Sequence, residues 1–167
     1  MNYGLIIGGI ILVICIVYYL VTYNNLVRLN NKVKESFATM DVYLKKRWDL
    51  IPNIVETVKG YAKHEKDTLK EIVAVRNGDY DNLSQDEKIK TNEQINRGVS
   101  RLMALAESYP DLKANTNFLD LQNQLSSIEE QIAYKRSFYN ETVRIYNDKI
   151  QMFPTNIIAN AFNFKEA

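Results

Sequence analysis

The sequence has few of the residues from which catalytic and metal sites are usually built. It contains one cysteine, Cys15, and one histidine, His64. A single cysteine excludes an intrachain disulfide and a cysteine metal cluster, and helical metal sites usually pair two histidines, or one histidine with several carboxylates. No serine with a recognisable nucleophile motif lies near His64. We therefore expect no enzyme activity, no catalytic residue, no metal or cofactor and no small-molecule substrate.

The chain also has few residues that break helices, and its net charge is close to zero. It has three prolines and six glycines, and its 21 basic and 20 acidic side chains nearly balance. Few breakers favour long helices over many short strands, and a near-neutral chain argues against nucleic acid as a partner. All charged residues lie beyond residue 27, which leaves one polar domain of modest size.

What the sequence has instead is one long apolar run near its start. Tyr3 to Tyr23 carry no charged side chain, and a helix of this length spans roughly the 30 Å hydrocarbon core of a bilayer. Tyr3 at one end, and Tyr18, Tyr19 and Tyr23 at the other, suit the headgroup boundary. A cleaved export signal would need a basic start and a shorter apolar run. The run predicts a transmembrane helix at 1–23 and a lipid bilayer as partner.

The charges that flank this run predict its orientation. No lysine or arginine precedes it, whereas Arg28, Lys32 and Lys34 follow closely. Cytoplasmic flanks are enriched in these residues. We expect a single-pass protein of the cell membrane with its N-terminus outside and residues 24–167 in the cytoplasm.

Beyond the run, apolar residues recur at helical spacing in four stretches. They extend from Leu26 to Trp48, from Ile54 to Val73, from Ile95 to Tyr109 and from Phe118 to Phe153. The last is a stripe of near-heptad spacing, which must lie against another helix or leave its apolar face in water. The stretch from Leu26 to Trp48 is the natural packing partner for this stripe.

Local signals predict the boundaries between these helices. Pro52 predicts a break or kink at Asp49 to Pro52. The residues at 77–82 favour a turn, and Ser84 with Glu87 has the spacing of a capping box that begins the third helix. Pro110 and Pro154 close the last two helices.

These elements predict an all-α fold in which the transmembrane helix runs into an antiparallel bundle of three to four long helices at 24–153. The second and third helices are either separate members or one bent arm. A short apolar tail at 154–167, with Ile157, Ile158, Phe162 and Phe164, either caps one end of the bundle or docks on the membrane surface.

Four stretches of sequence resemble the LemA family. They are RWDLIPNIVETVKGYAKHE at 47–65, AESYPDLKANTNFLDLQ at 106–122, RSFYNETVRIYND at 136–148, and the ending FPTNIIANAF. The resemblance covers nearly everything from Tyr23 onward, with the motifs in the right order. It implies a bacterial single-span membrane protein with an all-helical domain, and it implies no reaction and no catalytic residues.

A basic run beside an aromatic residue is one interaction candidate. It consists of Lys45, Lys46, Arg47 and Trp48, and such a run could contact anionic lipid headgroups. A straight helix from Tyr23 would carry Lys45 roughly 30 Å away from the bilayer, however. A solvated face with Trp48 packed at the bend is the favoured interpretation.

Partner helices are the other interaction candidate. Tyr139 and Tyr146 fall one heptad apart on the long stripe, where their hydroxyls would need partners. Gly4 and Gly8 have the spacing that lets two membrane helices approach closely. With the long stripe, this predicts a homo-oligomer or an association with another membrane protein.

Three functional hypotheses follow. The first is a membrane-anchored helical scaffold or adaptor that self-associates and has no chemistry of its own. The second is a membrane-remodelling or lipid-binding protein that uses the basic run at 45–47 and the apolar tail. The third, a membrane-bound hydrolase with a carboxylate metal site around His64, has the least support because the two-histidine pattern is missing.

Overall fold

The computed structural model of the chain describes residues 3–62, 64–75 and 79–167. Over these residues the fold is all-α, as predicted, and no strand is present. The α-helices are α1 (Tyr3–Tyr61), α2 (Lys66–Ala74), α3 (Gln85–Ala106), α4 (Pro110–Lys113), α5 (Thr116–Gln151) and α6 (Thr155–Ala161), with a 3-10 helix at Tyr80–Asn82.

Helix α1 continues through Pro52, so of the break or kink predicted at Asp49 to Pro52 the break is wrong. A proline inside a helix costs about 3 kcal/mol through its missing hydrogen bond and its ring. Burying one large aliphatic side chain contributes about 1.5–3 kcal/mol, and several of them flank this proline. Packing therefore outweighs the local penalty, and the buried side chains concerned are Leu50, Ile51, Ile54 and Val55.

The helix predicted from Ile54 to Val73 is divided in the structure. Its first part completes α1, which ends at Tyr61, and its second part is α2. In the predicted turn at 77–82, Asn77 and Gly78 lie outside the described residues. In the described part, the Asp79 side chain accepts a hydrogen bond from the Asp81 amide at 3.2 Å and caps the 3-10 helix.

Helix α3 begins at the predicted capping box. The Glu87 amide donates to the Ser84 hydroxyl at 3.4 Å, and the Ser84 amide donates to the Glu87 carboxylate at 2.8 Å. The Ser84 hydroxyl also donates to the Glu87 carboxylate at 2.7 Å, and this bond, followed by that from the Ser84 amide, lowers the pKa of Glu87. The helix ends at Ala106, and Pro110 occupies the first turn of α4, where its missing amide hydrogen costs nothing.

Helix α5 covers most of the predicted long stripe. Phe118, Leu125, Ile132, Tyr146 and Ile150 are buried, with half-buried neighbours between them. Phe153 lies beyond the end of the helix and is 80% exposed, so its place in the buried stripe was predicted wrongly.

The chain divides into two compact units, and α1 and α5 contribute to both. Residues 1–38 and 135–167 form the first unit, and residues 39–134 form the second. In the first unit α1 and α5 pack in opposite directions, because Phe37 contacts Tyr139, whereas Asn25, earlier in α1, lines one groove with Lys149, later in α5. The core of this unit consists of Leu26, Val33, Tyr146, Ile150, Ile158 and Ala159.

In the second unit, hydrogen bonds fix the directions of the helices. Asp41 pairs with Lys88, and Arg47 with Asn96, so α3 runs parallel to α1. Arg47 also pairs with Glu129, and Tyr61 with Asn115, so α5 runs antiparallel to α1.

Helices α2 and α3 are neighbours in the second unit, whereas the rest of the predicted second helix belongs to α1. They approach closely at Gly98, where an added Cβ would lie 3.1 Å from Cγ1 of Ile72. An added Cβ at this position would require the Ile72 side chain to shift by a few tenths of an ångström.

The tail at 154–167 forms α6 and then folds back on α5. The amide of Phe164 donates to the Ala159 carbonyl at 2.9 Å, the amide of Asn163 donates to the Asn160 carbonyl at 3.2 Å, and Asn163 has φ 57°. This is a Schellman motif with asparagine in the left-handed position. It turns Phe164 onto the core, where Ile158 already lies, whereas Ile157 and Phe162 are exposed.

Candidate functional site

Arg47, predicted as part of a basic surface run, is buried at the centre of a polar network that joins three helices. Its side chain is 3% exposed. The guanidinium donates from Nη1 to Asn92 Oδ1 at 3.1 Å, and from Nη2 to Asn96 Oδ1 at 2.9 Å and Glu129 Oε1 at 2.7 Å. The planar fork of arginine suits such convergent acceptors. The network ties α1 to α3 and α5.

A second polar cluster surrounds the buried ring of Tyr80. Its hydroxyl donates to Asp41 Oδ1 at 2.6 Å, and Lys88 Nζ pairs with Asp41 Oδ2 at 2.7 Å. Burial, and then the hydrogen bond to Asp41, raise the pKa of Tyr80. The ammonium of Lys88 also lies 4.8 Å from the centre of the Tyr80 ring. The tyrosine therefore remains a neutral donor that orients the Asp41 carboxylate.

The remaining members of the basic run are also engaged within the second unit. Lys45 donates to Asp81 at 3.1 Å, a hydrogen bond that raises the pKa of Lys45, and its ammonium lies 5.1 Å from the Tyr80 ring centre. Lys46 lies over the ring of Tyr43. Trp48 is buried with its ring 5.4 Å from that of Tyr80. The four residues therefore do not form one basic surface.

Sequence reasoning missed the acceptors of these networks, although it had one signal for them. Asn92 lies three residues before Ile95 on the apolar stripe of α3 and is itself buried. A polar side chain on the buried face of a helix must find a partner. That pattern marks Asn92 as paired, but it does not identify Arg47 as the donor.

Tyr139 and Tyr146 face the interior of the first unit. The Tyr139 ring lies 5.6 Å from that of Phe37. Tyr146 is fully buried, and its hydroxyl donates to the Lys165 carbonyl at 2.9 Å. Burial raises the pKa of Tyr146. The long stripe of α5 therefore packs against α1 and the segment after α6, within the chain.

An exposed apolar row remains on the flank of α5. Phe138, Ile145 and Met152 follow one another at seven-residue spacing, and all three are exposed. Seven residues are close to two helical turns, so Phe138 and Ile145 share one side of α5, and Met152 directly follows the last residue of the helix, Gln151. We call these three residues the α5 row.

The first part of α1 presents its apolar side chains outwards. From Tyr3 to Val21 every side chain is exposed, Tyr18 and the lone cysteine, Cys15, among them. Within the described residues this is one helix long and apolar enough to cross a membrane, by length and composition. At Gly4 and Gly8 an added Cβ would meet nothing within 4 Å.

The last turns of this apolar stretch contact the segment after α5. Phe162 packs against Tyr19 and Tyr23, with ring centres 5.7 and 4.9 Å away. A groove of about 520 Å³ runs along α1 from Val13 to Asn25, and Lys149 and Thr155 complete its lining.

His64 lies exposed in the turn after α1. Within the part of the chain that the structure describes, no group of three or more histidine, cysteine, aspartate or glutamate side chains could hold a metal ion.

Comparison with known proteins identifies relatives along most of the chain. The sequence model of the LemA family matches residues 36–167. Protein LemA of Metamycoplasma hominis is 30% identical over 140 residues, which cover 81% of this chain and 63% of that protein. The name LemA denotes no enzyme activity, and neither do the names of the magnetosome proteins described next.

More distant relatives carry the name magnetosome protein. MamQ 2 of Paramagnetospirillum magneticum is 22% identical over 174 positions, covering 89% of this chain and 64% of that protein. MamQ of Magnetospirillum gryphiswaldense is 23% identical over 180 positions, covering 92% and 66%. The chain thus spans just under two thirds of the length of these relatives. The extent of the family match and the identity to Protein LemA together show that the chain belongs to the LemA family.

Proposed function

We propose that the chain is a membrane-anchored helical scaffold or adaptor with no chemistry of its own. Residues 3–23 span the bilayer, and the helical residues beyond them lie in the cytoplasm. The length and outward-facing apolar side chains of the first part of α1 support the anchor, and the lysines and arginine that follow it support the orientation. Membership of the LemA family agrees with the membrane anchor.

The α5 row is the observation that carries the scaffold role. The buried stripe of α5 is already covered within the chain, so it is not the surface that a partner would use. Phe138, Ile145 and Met152 are exposed at heptad spacing, which suits a helix of another chain. A second copy fits this row, because two copies in one bilayer share their orientation and bring like helices side by side.

Two glycines in the span support the same association. Nothing lies within 4 Å of an added Cβ at Gly4 or Gly8, and glycines four residues apart let two membrane helices pack closely. The span and the α5 row would then both contribute to one contact between copies.

Photocrosslinking in the membrane tests this proposal. A photoreactive residue replaces Ile145 in the α5 row, and in a control it replaces Asn140, which is exposed on the other flank of α5. Adducts at twice the 19.4 kDa of the chain from position 145, and not from position 140, are the expected result. A discrete adduct of another mass would assign an adaptor that binds a different protein. Equal labelling from both positions would overturn the α5 row as an interface.

The alternative function, membrane remodelling or lipid binding through the basic run at 45–47 and the apolar tail, has less support at the basic run. Arg47 is buried and donates hydrogen bonds to three side chains. Lys45 pairs with Asp81, and Lys46 lies over the ring of Tyr43. Charges that already have protein partners offer little to anionic headgroups.

A further inference from the structure

The segment from Gln151 to Phe164 combines exposed apolar side chains with a complete lack of charge. None of its fourteen residues is acidic or basic, although lysines stand close on either side, at Lys149 and Lys165. Phe153 is 80% exposed and Ile157 is 60% exposed. Such side chains are costly to leave in water, whereas the boundary between acyl chains and headgroups accepts them.

The structure places this segment beside the end of the proposed span. Phe162, itself 44% exposed, packs its ring against Tyr19 and Tyr23. Lys149 and Thr155 line the same groove as Val21 and Thr22. The end of α5, the turn after it and α6 therefore lie alongside the last turns of the apolar part of α1.

The helical rise of α1 gives the level of Phe162 relative to the bilayer. Tyr19 precedes Tyr23 by four residues, or about 6 Å of helical rise. Residues 3–23 are about as long as the hydrocarbon core is thick, and ending the span at Tyr19 would leave about 25 Å, near the lower limit for crossing. Any placement of the span thus brings Phe162 to the membrane boundary.

We propose that residues 153–164, which follow Met152 of the α5 row, form a second, interfacial contact with the bilayer in which the chain is anchored. Phe153, Ile157 and Phe162 enter the boundary between headgroups and acyl chains, and Lys149 lies at headgroup level. The partner is the phospholipid surface itself, continuous with the lipid around the span. The contact would fix the tilt of the first unit on the membrane. This inference rests on the proposed span.

Site-directed spin labelling of the full chain in vesicles of phosphatidylcholine and phosphatidylglycerol tests the inference. Single nitroxides are placed at Ile157→Cys and, separately, Phe153→Cys, each in a Cys15→Ser background. Lys34→Cys in the same background is the aqueous control, since Lys34 is exposed and lies eleven residues, or about 16 Å of rise, beyond Tyr23. A label on native Cys15 is the lipid control. Collision with oxygen, which concentrates in lipid, is compared with collision with a water-soluble nickel chelate.

The inference expects both labels in the segment to collide frequently with oxygen and several-fold less with nickel than the label at Lys34. Nickel access equal to that at Lys34 would overturn it. Low access to both reagents would also overturn it, because the segment would then be covered by protein, such as a second copy. If the Cys15 label is open to nickel, the span itself fails, which separates failure of the proposed function from failure of this inference.

Discussion

Arg47 contributes more to the stability of the second unit than its place in a run of basic residues suggests. It is a buried cation whose three acceptors come from two other helices. Removing one member of a buried ionic group leaves the others desolvated and unpaired, which costs far more than losing an exposed pair. The structural role of Arg47 follows from the burial of its charge among three helices, and not from its place in a basic run.

We predict that Arg47→Ala lowers the free energy of unfolding by about 3 kcal/mol, because the buried Asn92 loses its donor. Glu129→Gln removes the charge but keeps an acceptor oxygen for Arg47, at a side chain that is 41% exposed, and should cost less, about 1–2 kcal/mol. Denaturant titration of the full chain in detergent, followed by the fluorescence of Trp48, measures both. Equal costs would show that the network is not centred on Arg47.

Tyr80 gives the second unit a dependence on alkaline pH. Its raised pKa means that the folded chain keeps a phenolic proton above about pH 10, where an unfolded tyrosine loses it. The stability that it contributes is therefore fully present below about pH 10 and is lost as pH rises beyond that value.

Tyr80→Phe should lower stability at neutral pH by about 2 kcal/mol, through loss of the hydrogen bond to Asp41, and should flatten the alkaline loss. Unfolding measured between pH 7 and about pH 11 tests this. Tyr61→Phe, which removes a hydroxyl that accepts from Asn115, is the control. An alkaline profile of Tyr80→Phe equal to that of the wild type would contradict the assignment.

At the scale of elements, α1 shows how packing overrides a local signal. Apolar spacing predicted the buried faces of α1, α3 and α5, and the capping box predicted where α3 begins, because both signals are local in sequence. The sequence left a break or a kink open at Pro52, because the burial of the side chains that hold α1 together there is not a local signal. The short connection from α1 to α2 was also missed, since no glycine or proline lies at 61–66.

The polar networks could not be predicted for a related reason. The sequence shows Arg47, Asn92 and Glu129 on three helices, but their meeting depends on the relative register of those helices. Periodicity gives the buried face of each helix and not the level at which two faces touch. The sequence signal was the position of Asn92, a polar residue three positions before Ile95 on the apolar stripe of α3.

We predict that Pro52→Ala stabilises the second unit by about 1–2 kcal/mol, because it restores a backbone hydrogen bond inside α1 at some cost in unfolded-state entropy. Pro110→Ala is the matched control, since Pro110 lies in the first turn of α4, where it costs nothing. Thermal unfolding of the two variants should therefore diverge. A Pro52→Ala variant no more stable than Pro110→Ala would mean that α1 gains nothing from this hydrogen bond.

At the scale of the whole molecule, the orientation of the span decides which compartment the helical residues meet. We expect Lys34→Cys, in a Cys15→Ser background, to resist an impermeant thiol reagent in intact cells and to react after the cells are opened. Lys34 is exposed, so access depends on the membrane and not on burial in the chain. Reaction in intact cells would reverse the orientation.

The central claim is that copies of this membrane-anchored chain associate through the α5 row, and co-purification of two differently tagged copies from one membrane tests it most directly. The wild-type copies should co-purify, Ile145→Lys should abolish this, and Asn140→Lys should leave it unchanged, while copies mixed after solubilisation should not associate. Ile145 is exposed, so its substitution leaves the core intact. Wild-type copies that do not co-purify, or equal behaviour of the two lysine variants, would contradict the claim.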